Sequence, residues 1–306
     1  MHFPTTEPTM LDSLEQILAD SGDPLPLPQV VLRIGQLTAN PKATAVDLER
    51  LIGIDPALAA RVLALANSNY YSLAGQISSL HEAVVFLGIK TLRDMAVAIT
   101  GFNQFLGRGD APALARRSLW RHSVNTAQCA RIVISALPAT ARETVGVDQA
   151  YTAGLLHDIG KLALDHCRHG LFVSLMQMAR VQNVRYYVIE AEVMPIGHAQ
   201  IGASQAQRWN LPPTLCESIA YHHTPRAATI SPKLTAAVAL ANEIAHFLED
   251  TPSGDAPSGD APVTLEKLLA SCRESMLPLR IRPEALEGIV LTCRSEMEQG
   301  LSALAF

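Results

Sequence analysis

The 306-residue sequence lacks the features that mark secreted and membrane-spanning chains. Its five cysteines are odd in number and none lies in a C-x-x-C pair, which argues against a disulfide framework or a zinc ribbon. No apolar run approaches the roughly 18 residues that a membrane span needs, and the start lacks a basic region followed by an apolar one. We therefore expect a cytoplasmic protein with no membrane partner and ordinary buried thiols.

Charge is also scarce, and it is not predominantly positive. Only 17% of the residues are charged, and the net charge is −5, so the chain has no broad basic field for phosphate backbones or anionic membranes. One stretch, residues 78–98, could imitate a DNA-reading helix-turn-helix, but Lys90 and Arg93 are the only positive residues of its second helix. Two core helices joined at Gly88 are the favoured interpretation, and nucleic acid is not expected as a partner.

What the sequence has in abundance is helical periodicity. Hydrophobic residues make up 48% of the chain and recur at spacings of three and four, whereas alternating strand-like runs are scarce. Asp55 before Pro56 predicts a helix start, Gly88 a helix end, and Asp148 a cap for the helix that carries "GLLHDIGKL". The fold class predicted is all-α.

Two segments interrupt this pattern. Residues 136–148 read as a loop, and residues 251–263 repeat SGDAP twice without a large apolar anchor, which indicates a flexible loop inserted between helices of one domain. A softer boundary lies near residue 108, between a helical N-terminal part and a helical part that holds most of the histidines.

The histidines form the most informative pattern. Eight of the ten lie between His122 and His246. A single histidine on an apolar helix is more often a hydrogen-bonded core residue than a ligand. The order of these residues nevertheless favours a shared site, whose candidate members are His122, His157, Asp158, His198, His222 and His223.

Residues His157 to Lys161 suggest the chemistry of that site. Neighbouring side chains on one helix diverge by about 100°, so His157 and Asp158 should not share one core contact but could flank a central object. Imidazole and carboxylate suit Fe, Mn, Zn or Ni, and a carboxylate can bridge two ions. Lys161 falls on the same helical face as His157, where it could bind an anion such as phosphate or extend to solvent.

These residues resemble a known superfamily. The order of the histidines and the His-Asp pair is similar to that of the HD metal-dependent phosphohydrolases, and "HDIGK" resembles the HD-GYP branch, which hydrolyses cyclic di-GMP. The stretches "DPALAARVLALANS" and "LHEAVVFLG", together with residues 197–223, resemble instead the HDOD domain, the HD-related output domain of bacterial signalling. The resemblance covers about residues 24–250.

The resemblance implies a two-lobed helical fold with a set of metal ligands. Its parts would be an N-terminal extension (1–23), a helical lobe (24–108), an HD-like lobe (109–250), the SGDAP loop (251–263) and C-terminal helices that pack on the domain (264–306). The implied ligands are the six candidates above, with Asn242 in the closing position where an active HD enzyme has aspartate. The implied cofactor is a divalent metal, with two ions allowed.

The sequence departs from an active HD enzyme in three places. A neutral amide at Asn242 binds divalent ions more weakly than a carboxylate, unless Glu243 or His246 substitutes for it. Ser118 stands where a three-metal site would have glutamate, and no Gly-Tyr-Pro loop follows His198. These departures favour a regulatory protein over an enzyme.

Two function classes remain open. As a regulator, the protein would act through contacts with signalling or motility proteins, and a homodimer is allowed. As an enzyme, it would be a metal-dependent phosphohydrolase of a cyclic dinucleotide or another nucleotide, with Lys161 as the catalytic residue that steadies the developing charge.

Overall fold

The computed structural model describes residues 37, 43–67, 76–89, 91–92, 113–142, 144–250 and 264–303, and these contain helices and no strand. The all-α prediction is confirmed. The N-terminal extension 1–23, the boundary near residue 108, the SGDAP loop, Lys90 and Arg93 lie outside the described residues. No helix in the described ranges combines the length and the apolar character that crossing a membrane requires.

Three of the helices that the structure describes precede the histidine-rich region. Helix α1 spans Ala45–Ile52, α2 spans Pro56–Ala66, and α3 includes residues 80–89. The predicted start of α2 is confirmed, because Pro56 is its first residue and the Asp55 carboxylate accepts the Leu58 N–H at 3.1 Å. Gly88 has a φ of 72°, the left-handed conformation in which glycine is favoured, although the helical pattern continues to residue 89.

Eight helices follow, and they carry most of the candidate residues. They are α4 (Ala113–Ser135), α5 (Ala139–Arg142), α6 (Val147–Leu156), α7 (Ile159–Cys167), α8 (His169–Gln182), α9 (Tyr186–Val193), α10 (His198–Arg208) and α11 (Pro213–Tyr221). Two expectations were wrong here. The loop predicted at 136–148 contains the short α5, and the cap of α6 is Gly146, with Asp148 inside the first turn and no side-chain cap bond.

Three further helices complete the described chain: α12 (Pro232–Asp250), α13 (Leu265–Leu279) and α14 (Pro283–Ala303). Within the described residues the core contains two hydrophobic clusters. One joins α1–α3 to α7, α8 and α10, and the other is formed by α4, α6 and α12 with α13 and α14. Helix α4 packs along both α6 and α12, and His122 of α4 faces Asn242 of α12.

The segment between α11 and α12 is fixed by one carboxylate. Buried Glu217 accepts the backbone N–H groups of Thr229, Ile230 and Ser231 at 2.5, 2.7 and 2.5 Å. Burial alone would raise the pKa of Glu217, but these donors outweigh it and lower that pKa. The contact ties α11, which His222 directly follows, to the segment that leads into α12, the helix that contains Asn242.

Replacing Glu217 with glutamine should therefore destabilise the fold by about 1–3 kcal/mol, because bonds to a charged acceptor are stronger than those to an amide. The stabilisation by Glu217 is fully present above the pKa that this residue has in the unfolded chain. It is lost as the pH falls through the lower pKa of Glu217 in the folded protein. Urea denaturation should show a difference in unfolding free energy between the wild type and Glu217→Gln at pH 7, and a smaller difference at pH 4. Glu266→Gln, on the exposed face of α13, is the matched control and should change little.

Candidate metal centre

The candidate residues gather where helices begin and end. His157 directly follows α6, and Asp158 directly precedes α7, so the pair lies at a helix junction rather than on one continuous helix. The expectation that these side chains cannot share a contact was wrong, because the break brings His157 Nε2 within 3.4 Å of Asp158 Oδ2. The angle of about 100° between neighbouring side chains of one helix does not apply where one helix ends and the next begins.

The other members reach the same point from separate elements. His198 is the first residue of α10, and His222 and His223 directly follow α11. His122 and Asn242 lie within α4 and α12. Five of the six candidates are buried and His223 is partly buried, so the structure brings all six together in the protein interior.

Asp158 is the centre of this cluster. Its Oδ1 atom lies 3.1 Å from His198 Nε2 and 3.6 Å from His222 Nε2. Its Oδ2 atom lies 3.4 Å from His157 Nε2 and 3.8 Å from His122 Nε2. His223 joins through His198, with the two Nε2 atoms 3.1 Å apart. One carboxylate thus faces two separate groups of imidazoles.

Hydrogen bonds on the far side of the rings orient four of the histidines. The Nδ1 atoms of His157 and His222 donate to the carbonyl oxygens of Gly154 and Ile219 at 2.7 and 2.8 Å. His198 Nδ1 contacts Glu190, and His122 Nδ1 lies 2.9 Å from Glu249. In every case the Nε2 atom is the one that faces the cluster. Metal-binding histidines have this arrangement, with the outer nitrogen fixed by a carbonyl or carboxylate.

Glu190 and Glu249 contact the rings of the cluster and were not predicted from the sequence. Glu190 also accepts the backbone N–H of His198, so it fixes both the ring and the start of α10. Glu249 accepts a bond from Asn125 at 2.8 Å as well as facing His122. The spacing of Glu249, seven residues after Asn242, was an available signal because it places both on one face of α12.

Charge and burial divide the histidines into two classes. Burial lowers the pKa values of His157, His222 and His223, which favours the unprotonated ring that can offer a lone pair to a metal. For His122 and His198 burial acts in the same direction, but Glu249 and Glu190 outweigh it and raise the pKa values. For Asp158, burial is outweighed by His157 and Lys161, which hold its pKa well below the usual value.

These donors fit a divalent metal ion. The Nε2 atom of His198 lies 3.3 Å from that of His222 and 3.1 Å from that of His223. Ligand nitrogens about 2.0–2.1 Å from a tetrahedral ion are about 3.3 Å apart, so the spacing matches a shared ion. His157 Nε2 is buried without a hydrogen-bond partner, which is costly for a polar atom that has no ligand. The cluster can therefore bind a metal, whose identity and number remain predictions.

Asn242 stands in the closing position, where an active HD enzyme has aspartate. Asn242 is buried, and its Oδ1 atom lies 2.9 Å from His122 Nε2. His246, one turn further along α12, stacks on His122 with ring centroids 4.1 Å apart. Glu243 instead faces Arg185 at 3.8 Å, and Ser118 is exposed. Of the two residues considered as substitutes for Asn242, His246 contacts a ring of the cluster, whereas Glu243 faces Arg185.

Lys161 does not extend to solvent, so that alternative was wrong. Its side chain is 8% exposed, and Nζ lies 2.6 Å from Asp158 Oδ2 and 5.3 Å from the centre of the Tyr186 ring. It borders a small pocket, together with Arg185, Tyr187 and His246, whose volume is about 30 Å³. A pocket of this size holds about one water molecule.

Comparison with known proteins identifies the family. The HDOD domain matches residues 25–225, about two thirds of the sequence. The chain belongs to the HDOD family. The match ends before α12, so the HDOD segment contains six candidates but neither Asn242 nor Glu249.

Three relatives illustrate the extent of the likeness. A protein of uncharacterised function from Treponema pallidum is 30% identical over 247 residues, which are 80% of this chain and 47% of that protein, so the chain spans about half the length of this curated relative. An HDOD domain protein of unknown function from Geobacter sulfurreducens is 25% identical, with a TM-score of 0.50 over 94% of this chain and 98% of that one. The MmoQ response regulator from Methylococcus capsulatus is 20% identical, with a TM-score of 0.64 over 88% and 98% of the respective chains, which shows a shared fold.

Proposed function

We propose that this HDOD protein is a regulator of bacterial signal transduction that acts through contacts with signalling or motility proteins. In this proposal the histidine cluster holds a divalent cation as a structural or responsive core. The observation that carries the proposal is the contrast between the several imidazole nitrogens that surround Asp158 and a bordering pocket of about 30 Å³. Sites for nucleotide-sized ligands usually have volumes of roughly 300 Å³ or more.

A path from the cluster to the surface supports this role. The His223 ring stacks on Tyr187 of α9, with centroids 4.1 Å apart, and Tyr187 is 39% exposed. The preceding segment carries the exposed apolar residues Met178, Val181 and Val184. A change at His223 would therefore reach the exposed Tyr187 through a single ring contact, and the exposed apolar residues just before Tyr187 in the chain are of the kind common where proteins meet.

A turnover assay with the full chain tests the proposal. Wild-type protein supplied with Mn²⁺ should hydrolyse cyclic di-GMP and bis(p-nitrophenyl) phosphate no faster than a His157→Ala/Asp158→Ala double variant. Hydrogen exchange should in parallel show that Mn²⁺ slows exchange in α9 of the wild type and not of the double variant. Turnover by the wild type that the double variant loses would overturn the regulatory assignment.

The second candidate is a metal-dependent phosphohydrolase that acts on a cyclic dinucleotide or another nucleotide. The buried cation of Lys161 beside Asp158 favours it, because an ammonium group next to a metal centre can bind a phosphate oxygen. A bound divalent ion would supply Lewis-acid polarisation of the phosphate. Here His122, His157, His198, His222, His223 and Asp158 would hold the ion, and Lys161 would orient the phosphate.

A further inference from the structure

Two of the three groups of possible ligand atoms among the described residues border one carboxylate, Asp158; the third, formed by His122, His246 and Glu249, does not include it. His198, His222 and His223 form the first group, and His122, His157 and Asp158 form the second, with the ligand atoms of each group within 4.8 Å of one another. Asp158 faces the first group with Oδ1 and the second with Oδ2. Two cation positions could therefore be expected, one on each side of Asp158.

The second of these positions already has a cation from the chain itself. Lys161 Nζ lies 2.6 Å from Oδ2, the same oxygen that faces His157 and His122. The lysine is buried and its ammonium also lies near the Tyr186 ring, so the group is held in place on two sides. Its charge neutralises the single carboxylate of this half and would repel a divalent ion there.

The remaining donors of the second group are also weakened. Asn242 contributes no negative charge, and its Oδ1 atom lies 2.9 Å from His122 Nε2, so a neutral side chain occupies the position beside that nitrogen. His157 Nε2 is the imidazole nitrogen of this group that is buried without a hydrogen-bond partner.

The first group has no such competitor among the described residues. The Nε2 atoms of His198, His222 and His223 face one another at the spacing of a shared ion, and their Nδ1 contacts with Glu190 and the Ile219 carbonyl orient His198 and His222. Building on the metal-holding role proposed above, we infer that the cluster binds one divalent ion, through His198, His222, His223 and Asp158, and that Lys161 takes the place of a second ion.

Metal stoichiometry tests this inference without reference to activity. Wild-type chain titrated with Mn²⁺ should bind one equivalent, with the electron paramagnetic resonance signal of an isolated ion. Lys161→Met combined with Asn242→Asp removes the competing charge and restores a carboxylate, so this double variant should bind two equivalents with a spin-coupled signal. Lys233→Met, a lysine whose Nζ bonds Thr144 far from the cluster, is the matched control and should bind one.

Single histidine variants test the two halves separately. His157→Ala should retain one equivalent of Mn²⁺, whereas His222→Ala should lose binding at the same metal concentration. Two equivalents in the wild type, or equal losses in the two variants, would overturn the single-ion inference while the metal-holding role stands. Absence of Mn²⁺ from the wild type and every variant would refute both.

Discussion

Replacing Gly160 with alanine should cause one of the largest losses of stability available from a single methyl group in this protein. Gly160 lies in the first turn of α7, where a Cβ atom would be 1.9 Å from the carbonyl oxygen of His198 and 2.7 Å from the backbone nitrogen of Gly202. Both obstacles are backbone atoms of α10, so the helices must move apart. We expect a loss of about 3 kcal/mol or more in unfolding free energy and loss of metal binding.

Gly170→Ala is the control for this experiment. Gly170 also lies near the start of a helix, but an added Cβ there meets no atom within 4 Å. This variant should change stability by no more than about 1 kcal/mol, in the stabilising direction. Urea denaturation and Mn²⁺ binding of both variants would measure the difference, and a Gly160→Ala protein of wild-type stability would show that α7 and α10 are not in the close contact described.

The second large effect concerns the buried ion pair. Asp158→Asn should destabilise the metal-free protein by about 3–5 kcal/mol, because it leaves the ammonium of Lys161 buried without its counter-charge. Lys161→Met should also destabilise the metal-free protein, since it removes the positive charge closest to the buried Asp158 carboxylate. The double variant Asp158→Asn/Lys161→Met removes both charges and should recover a large part of either loss.

Added metal distinguishes the variants further. Mn²⁺ should raise the unfolding free energy of the Lys161→Met protein, because the ion replaces the missing positive charge, and should have little effect on Asp158→Asn, which has lost the shared ligand. The measurement is urea denaturation of the four proteins with and without Mn²⁺. Additive losses in the double variant would mean that the two side chains do not form an energetically coupled pair.

The helical class and the convergence of the candidate residues could be predicted from the sequence for separate physical reasons. Apolar spacing reports which face of a helix is buried, so the all-α class followed from composition and periodicity. Residue identity reports metal-ligand chemistry, so His122, His157, Asp158, His198 and the pair His222–His223 could be grouped before their distances were known.

The local geometry of the candidate site was harder to predict from the sequence. The break between α6 and α7 is not marked by proline, and periodicity continues through it, so His157 and Asp158 read as residues of one helix. Glu190 and Glu249 were missed because a carboxylate behind an imidazole has no pattern of its own in the sequence. The direction of Lys161 was open because its chain can reach either solvent or Asp158, and only packing decides between them.

Helix α12 contributes contacts to the histidine cluster although it lies outside the segment that matches the HDOD family. The HDOD match ends at residue 225, yet α12 supplies the Glu249 and Asn242 contacts of His122 and packs along α4. A fragment cut at residue 225 would keep most of the histidines but leave His122 unsupported and one side of α4 bare. Swapping this domain between proteins would therefore require moving residues up to Asp250 with it.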